Sequence, residues 1–151
     1  RAEALGVRTD VHEAAEGIVR VMTKLFARDG KTITNEISPG TFVRVERQDM
    51  EEMLGNLLDN ACKWAATTVK LSVQSDENGR WLILIDDDGP GLTKAEREEA
   101  LKRGIRLDET APGTGLGLSI VSDIAEMNGG GLELSQSPLG GLRAVIQLRR
   151  A

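Results

Sequence analysis

The sequence predicts an α+β fold, a two-layer α/β sandwich in which a mixed, mostly antiparallel sheet carries helices on one face. Short strand-like runs occur in pairs separated by turn residues, as in hairpins. Longer segments with apolar residues at three- and four-residue steps, the helical period, lie between these pairs. A 151-residue chain fits one domain, and a chain of this size buries roughly 70% of its unfolded surface. We therefore expect residues 1–151 to form a single domain.

The first part of the chain predicts a helix, two strands and a second helix. Val11–Arg28 has the helical period. Thr32–Ile37 and Phe42–Glu46 are predicted as strands of a hairpin, joined by the turn residues Ser38-Pro39-Gly40. Gln48–Ala66 follows as an amphipathic helix, because its apolar residues recur at three- and four-residue steps.

The second part predicts two more hairpins with helices between them. The strands are predicted at Val69–Gln74, Trp81–Asp86, Leu132–Gln136 and Leu142–Leu148. A polar segment, Leu92–Pro112, is expected to contain a short helix around Lys94–Arg103. A further helix, from about Gly115 to Met127, should end at Asn128-Gly129-Gly130-Gly131, a sequence typical of helix termini.

Composition excludes several classes of function. The net charge of −5, without a basic stripe or an aromatic platform, argues against nucleic-acid binding. The single cysteine, Cys62, excludes an intrachain disulfide and suits a reducing compartment. The sequence has neither the roughly 18 consecutive apolar residues of a membrane span nor a secretory leader. We expect a cytoplasmic domain that does not contact the membrane itself, and one that belongs to a longer protein because it begins at Arg1.

A polar stripe runs along the second predicted helix. Glu52, Asn56, Asn60 and Lys63 fall within an arc of about 80° at 100° per residue, next to the apolar face. A carboxylate, two amides and a lysine in single file suit a magnesium and phosphate site. The alternative is an ordinary amphipathic helix with its polar residues in solvent.

The strand run Leu82–Ile85 leads directly into Asp86-Asp87-Asp88-Gly89-Pro90-Gly91. A buried Asp87 at a strand end can accept a hydrogen bond from an exocyclic amine such as that of adenine. Gly89 and Gly91 would let the backbone approach a planar base. The alternative is a turn with solvated charges.

A second glycine cluster, Gly113-Thr114-Gly115-Leu116-Gly117, precedes the helix Leu118–Ala125. Open N–H groups and the helix dipole at such a point attract phosphate, although the cluster could also be only a flexible lead into a helix. Two common nucleotide motifs do not match: the third glycine of the dinucleotide fingerprint is missing, and Gly30-Lys31-Thr32 lacks the first glycine of a P-loop.

Together, the three motifs resemble the GHKL ATP-binding fold and, within it, the catalytic domain of bacterial sensor histidine kinases. Asn56–Trp64 resembles the N box, Asp87–Gly91 the G1 box and Gly113–Leu118 the G2 box, in the family's order and over nearly the whole chain. Asn60-Ala61-Cys62-Lys63 and Lys102-Arg103-Gly104 are similar to PhoQ-type sensor kinases.

The resemblance implies ATP and Mg²⁺ as cofactors. Asn56 would coordinate Mg²⁺, Asn60 would support the metal or the phosphates, and Lys63 would contact the phosphates as a point charge. Glu52, one turn earlier, would help orient or deprotonate the group that receives the phosphoryl. Glu52 and Asn56 are thus the expected catalytic residues.

The resemblance also implies a base pocket and a lid. Trp64 would line the adenine pocket, Asp87 would accept from the adenine amine, and Gly89 and Gly91 would lie near the base. A lid spanning about residues 92–112 would bring Leu101 as an apolar anchor and Arg103 or Arg106 to the γ-phosphate. The phosphates would be wrapped by the G2 box residues Gly113, Thr114, Gly115, Leu116, Gly117 and Leu118.

The resemblance implies donation of the γ-phosphoryl group to a histidine on a separate dimerisation domain, in two-component signalling with a response regulator. The only histidine, His12, has Gly17 where the family's acceptor motif has proline, so this chain is not expected to phosphorylate itself and is expected to be a monomer. Three alternatives stay open: a GHKL ATPase, a serine-directed anti-sigma kinase and a nucleotide-binding pseudokinase.

Overall fold

The computed structural model describes residues 6–102 and 114–151, and of residues 114–116 only the helical backbone. The helices are α1 (Val11–Leu25), α2 (Arg47–Trp64), α3 (Lys94–Ala100) and α4 (Thr114–Met127). The strands are β1 (Thr9–Asp10), β2 (Thr32–Asn35), β3 (Phe42–Val43), β4 (Thr68–Ser75), β5 (Trp81–Asp87), β6 (Gly131–Gln136) and β7 (Leu142–Leu148). A single 3₁₀ turn, Ala27–Asp29, follows α1.

Five strands form one sheet in the order β2-β4-β5-β7-β6. Only β2 and β4 are parallel to each other, and the other neighbours are antiparallel. Alternate strand residues such as Ile83 and Ile85 belong to the apolar core shared with α1, α2 and α4. The helices therefore cover one face of a mixed, mostly antiparallel sheet, as the sequence predicts.

The start of α1 is fixed by its N-cap. The Asp10 carboxylate accepts hydrogen bonds from the N–H groups of His12 (2.9 Å) and Glu13 (3.4 Å), which the first turn of a helix leaves without intrahelical partners. Its second oxygen accepts from the Gly40 N–H (3.0 Å). Asp10 thus joins the beginning of α1 to the turn before β3. The helix ends at Leu25, three residues earlier than predicted.

The predicted hairpin between residues 32–37 and 42–46 is wrong. β2 pairs with β4 in parallel, whereas β3 contains only Phe42 and Val43 and pairs with β1 in a separate two-stranded sheet. The turn residues are still a turn, and Gly40 has a φ of 85°. However, the Gly40 N–H and the Thr41 carbonyl bond to the start of α1, so the chain turns toward β1 instead of back along β2.

The other hairpins form as predicted. β4 and β5 pair over seven residues, from Val69 opposite Asp87 to Ser75 opposite Trp81. The turn between them is held by Asp76, whose carboxylate accepts from the N–H groups of Asn78 (2.9 Å) and Arg80 (2.8 Å). β6 pairs with β7, and β7 pairs with β5, which makes β5 the central strand.

α3 begins with a capping box, in which the Thr93 hydroxyl accepts from the Glu96 N–H and the Glu96 carboxylate accepts from the Thr93 N–H. The helix ends at Ala100, not Arg103, and Leu101 packs against the core. Within the described parts of the chain, none of the helices has the length and apolar character that crossing a bilayer requires.

Candidate nucleotide-binding site

The predicted polar stripe lies on α2 beside its buried face. Asn56 and Asn60 are half-buried, while Glu52 and Lys63 are exposed. α2 is oriented by eight buried residues, among them Met53, Leu57 and Ala61. The stripe spans about 16 Å from Glu52 to Lys63 at 1.5 Å per residue. The helix therefore presents a row of amide and charged groups along one border of the core.

Asn56 lies next to the first turn of α4. Its Nδ2 donates to the Glu52 carbonyl one turn earlier (2.8 Å), which fixes the side-chain amide and leaves Oδ1 toward α4. A Cβ placed on Gly117 would lie 3.4 Å from this Oδ1. Since Gly117 has no side chain, the beginning of α4 can approach the polar stripe closely. Leu118, one residue later, is buried in the core.

Lys63 forms an ion pair with Asp59 on the same helix, with 2.9 Å between Nζ and Oδ2. Both side chains are about one-third exposed (32% and 36%), so the pair is worth at most about 1 kcal/mol. A phosphate could therefore compete with Asp59 for the ammonium group. Asp59 was not among the residues that the sequence singled out.

The C-terminal end of α2 is held by Lys31, whose Nζ donates to the carbonyls of Cys62 (2.5 Å) and Lys63 (3.4 Å). A cation at this end satisfies carbonyls that have no helical partner and opposes the helix dipole. Burial raises the pKa of the Cys62 thiol to about 11, although the charge of Lys31 lowers it in part. Cys62 is therefore a protonated, buried packing residue and not a nucleophile.

Asp87 ends the central strand and is only 2% exposed. Its Oδ1 accepts hydrogen bonds from the N–H groups of Gly89 (2.9 Å) and Leu142 (3.3 Å). Burial raises the pKa of Asp87, those two hydrogen bonds lower it, and the neighbouring charges of Asp88 and Asp86 raise it further. Among the described residues, both hydrogen bonds to this carboxylate are accepted by Oδ1, which leaves Oδ2 for a ligand.

The carboxylates on either side of Asp87 point elsewhere. Asp88 accepts from the N–H groups of Thr67 (3.0 Å) and Thr68 (3.0 Å) and from the Thr67 hydroxyl (2.8 Å), at the junction of α2 and β4. Burial raises the pKa of Asp88, but these hydrogen bonds outweigh it and bring the pKa to about 2. Asp86 forms hydrogen bonds with Arg143 and Ser137. One carboxylate of the three is therefore left to face a ligand.

The glycines of this turn are required by close contacts. At Gly89 a Cβ would collide with the Trp64 carbonyl at the end of α2. Gly91 has a φ of 71°, a conformation that favours glycine, and its Cβ position lies 3.3 Å from the Gly141 backbone. The turn is thus packed between the half-buried Trp64 on one side and the β6–β7 hairpin on the other.

The β6–β7 hairpin supplies contacts that the sequence analysis did not assign to the site. The Gly141 N–H donates to the Asp87 carbonyl (3.1 Å), and Leu142 donates to the Asp87 side chain. A Cβ on Gly141 would lie 2.5 Å from the Asp87 carbonyl oxygen and 2.6 Å from the Gly89 nitrogen. The Gly140-Gly141 pair was the available signal, but its partner is 54 residues away in the sequence and only the fold reveals it.

A cavity of about 250 Å³ opens beside the turn. The segment Pro90–Thr93 and Glu96 of α3 line one side, and Gln136, Gly140 and Gly141 line the other. Since Gly91 and Gly141 also belong to the contacts around Asp87, the hairpin forms part of a wall next to the candidate base site.

Some predicted residues cannot be placed. Arg103, Arg106 and Gly113 lie outside the described residues, as does the part of the predicted lid from residue 103 to residue 112. Thr114, Gly115 and Leu116 form the first positions of α4. The structure thus brings the α2 stripe, the Asp87 turn and the start of α4 to one side of the domain, through Trp64 with Gly89 and Asn56 with Gly117.

The donor set fits Mg²⁺ held jointly with a nucleotide. In the described part of the chain no three His, Cys, Asp or Glu side chains form a metal-binding group. Magnesium in nucleotide sites is commonly held by one or two side chains plus substrate phosphates and water. The single amide oxygen of Asn56 beside a helix N-terminus suits that arrangement.

Comparison with known proteins agrees with this geometry. Residues 45–151 match the family described as histidine kinase-, DNA gyrase B-, and HSP90-like ATPases. The chain belongs to this family. The match begins just before α2 and therefore includes all three motifs, whereas α1 and the first three strands lie before it.

Curated relatives of this family member are sensor kinases. The sensor protein kinase CarS of Pseudomonas aeruginosa is 54% identical over 110 residues, which cover 73% of this chain and 24% of CarS. The sensor protein PhoQ of Escherichia coli is 37% identical over 132 residues, which cover 87% of this chain and 27% of PhoQ. The chain thus spans about a quarter of the length of these relatives.

Solved structures show the same fold. The ATP binding domain of PrrB from Mycobacterium tuberculosis matches this chain with a TM-score of 0.78 and 27% sequence identity. The matched region covers 96% of this chain and 97% of the PrrB chain. The catalytic domain of the histidine kinase ThkA matches with a TM-score of 0.83 and 18% sequence identity. The matched region covers 95% of this chain and 94% of the ThkA chain. The predicted family and fold class are confirmed.

Proposed function

We propose that this domain binds ATP with Mg²⁺ and donates the γ-phosphoryl group to a histidine on a separate dimerisation domain. One observation carries the proposal: three segments far apart in the sequence converge on one side of the domain. They are the α2 stripe, the turn around Asp87 and the first turn of α4. The α2 stripe brings amide and charged side chains, and the turn brings the buried carboxylate of Asp87. The first turn of α4 brings the open backbone N–H groups of a helix N-terminus.

In this proposal the base end of ATP lies at Asp87. Its Oδ2 accepts from the adenine amine while Oδ1 stays fixed by Gly89 and Leu142. Trp64, half-buried at the end of α2, lines the base, and Gly89 and Gly91 give the base access to the backbone. A carboxylate held on one oxygen by two N–H groups needs no reorientation when the base arrives, which lowers the cost of binding.

The phosphate end lies between α2 and α4. Asn56 Oδ1 would ligate Mg²⁺, which when bound neutralises charge on the phosphates. Asn60 and Lys63 would contact the phosphates from α2, and the G2 box, Gly113 to Leu118, would wrap them from α4. Arg103 in the lid would reach the γ-phosphate, and Glu52 would orient the acceptor histidine. Phosphoryl transfer asks the protein chiefly for such positioning and charge neutralisation.

The acceptor and later partners lie outside this chain. We propose that residues 1–151 are the catalytic domain of a longer, membrane-bound sensor kinase, that the domain is cytoplasmic and monomeric, and that the phosphoryl group passes on to a response regulator. His12 is not proposed as the acceptor. It lies in the first turn of α1 with Nδ1 2.6 Å from the Ile37 carbonyl oxygen, so one ring nitrogen is already engaged.

Titration calorimetry with an ATP analogue, with and without Mg²⁺, tests the nucleotide part of this proposal. We expect magnesium-assisted binding of the ATP analogue and of ADP, and weaker binding of GTP. No binding would refute the site as drawn, and binding indifferent to the base would remove Asp87 from it and favour a degenerate pseudokinase.

A transfer assay tests the kinase part. The domain is incubated with radiolabelled ATP and the purified dimerisation domain of a related sensor kinase. We expect an acid-labile phosphohistidine on that partner and no label on this chain. Acid-stable label would instead indicate a serine-directed kinase, and phosphate release without transfer would indicate an ATPase.

A further inference from the structure

The side chain of Asp86 is fully buried although it lies on the sheet face away from the helices. Ile85 and Asp87, its neighbours in β5, point toward the helical layer, and side chains alternate along a strand. Asp86 is 0% exposed and accepts from Arg143 through both oxygens, from Nε to Oδ1 (2.8 Å) and from Nη2 to Oδ2 (3.1 Å). The proposed nucleotide site leaves this carboxylate without a role.

Asp86 also contacts the β6–β7 hairpin on the β6 side of its turn, at Ser137. The Ser137 hydroxyl donates to Asp86 Oδ1 (2.8 Å). Ser137 in turn donates its N–H to the Gly141 carbonyl (2.8 Å) and closes the turn. Since Arg143 lies directly opposite Asp86 in β7, one carboxylate fixes the residues on both sides of the turn.

Two residues between Ser137 and Arg143 contact Asp87, in addition to the Gly89 N–H that lies in the same turn as Asp87. Gly141 donates to the Asp87 carbonyl (3.1 Å) and Leu142 donates to Asp87 Oδ1 (3.3 Å). Leu142 is adjacent to Arg143, so its N–H cannot shift along the strand without moving the guanidinium from Asp86. The two aspartates are thus coupled through the hairpin, one from each face of the sheet.

We propose that Asp86, Arg143 and Ser137 are positioning residues that set the direction of the Asp87 carboxylate and thereby the preference of the site for a purine with a 6-amino group. This inference rests on the proposed function, which assigns the amine to Asp87. The three residues do not touch the nucleotide. They act through the N–H groups of Gly141 and Leu142.

The ion pair can be removed without leaving a buried charge. Deleting one member of a buried pair is costly because the other stays unpaired, whereas replacing both with apolar residues is often neutral for stability. Asp86 and Arg143 are direct cross-strand partners, and two valines suit such a position in a sheet. The double variant Asp86→Val with Arg143→Val therefore removes the anchor while keeping the strand pairing.

The experiment compares ATP with purine riboside triphosphate, which lacks the 6-amino group but has the same sugar and phosphates. Calorimetric affinities for both are measured for the wild-type chain, the double variant and Ser137→Ala. Ser135→Ala is the matched control, because it removes a hydroxyl from the same hairpin without affecting the hydrogen bonds described for Asp86. Thermal unfolding shows that each variant is folded.

The wild-type chain should prefer ATP by about tenfold or more, the range of a hydrogen bond to a charged group. In the double variant this preference should fall below about threefold, and in Ser137→Ala to an intermediate value. The affinity for purine riboside triphosphate should change less than about twofold, since other residues hold the phosphates. Ser135→Ala should behave as wild type.

Three results would overturn the inference. The first is an unchanged preference for ATP over purine riboside triphosphate in the folded double variant, and the second is an equal loss of affinity for both nucleotides. If the double variant does not fold, the third is an unchanged preference for ATP in Ser137→Ala. If the wild-type chain binds both nucleotides equally, Asp87 does not read the amine and the proposed base contact fails with the inference. If it binds neither, the proposed function itself fails.

Discussion

Asp87→Asn separates the ligand contact of this carboxylate from its structural contacts. The side chain keeps its shape, and the amide oxygen can still accept from the N–H groups of Gly89 and Leu142. The second oxygen becomes an NH₂ group, which cannot accept from an adenine amine. A hydrogen bond to a charged group is worth about 1.5–3 kcal/mol. At about 1.4 kcal/mol per factor of ten, ATP affinity should fall about 10- to 150-fold.

The same substitution should not destabilise the domain at neutral pH. Burial, together with the charges of Asp88 and Asp86, raises the pKa of Asp87 in the folded state above its usual value. Such a group contributes stability below the unfolded pKa and loses it as the pH rises through the folded pKa. Asparagine does not ionise. The variant should therefore be at least as stable as wild type at neutral pH, and that advantage should disappear on acidification toward the usual carboxyl pKa.

Two assays test this reasoning. Calorimetry with ATP and with purine riboside triphosphate measures the ligand contact, and urea unfolding at neutral and mildly acidic pH measures stability. Glu133→Gln, an exposed carboxylate of β6, serves as the control for removing one negative charge. An unchanged ATP affinity, or a variant less stable than wild type at neutral pH, would refute the account of Asp87 given above.

Three other substitutions test neighbouring features. Gly141→Ala should lower the free energy of unfolding by about 1–3 kcal/mol and weaken ATP binding, because the added Cβ would meet the Asp87 backbone. The control is Gly131→Ala, which has open space around it and should lose less than half as much stability in urea unfolding. Gly55→Ala in α2, also in open space, should raise stability by about 0.5–1 kcal/mol in the same measurement, and a loss would contradict the helical geometry there. Hydrogen bonds lower the pKa of Asp88 to about 2, so its ionised form stabilises the wild-type fold, and this stabilisation is lost as the pH falls from the usual carboxyl pKa through about 2. Asp88→Asn should remove this contribution and its pH dependence. Acid unfolding followed by circular dichroism measures this, and identical acid transitions would exclude the role of Asp88 at the α2–β4 junction.

The elements whose signals are local could be predicted from the amino-acid sequence alone. The helical period placed α2, and turn residues between strand-like runs placed the strands from β4 onward. The Asn-Gly-Gly-Gly run placed the end of α4 near the predicted residue. The three motifs were recognisable because each is a short contiguous run of residues. In the structure the three motifs lie close together, with Gly89 next to Trp64 and Gly117 next to Asn56.

The pairing of the strands and the role of each aspartate follow from long-range packing in the folded domain. The Ser-Pro-Gly turn was visible, but the partner of β2 is β4 because the hydrogen bonds of Gly40 and Thr41 go to α1. Likewise, three consecutive aspartates look alike in sequence. Strand alternation places Asp86 and Asp87 on opposite faces of the sheet, and Asp86 finds its partner Arg143 57 residues later. Partner choice depends on packing over long sequence distances, and no local pattern contains it.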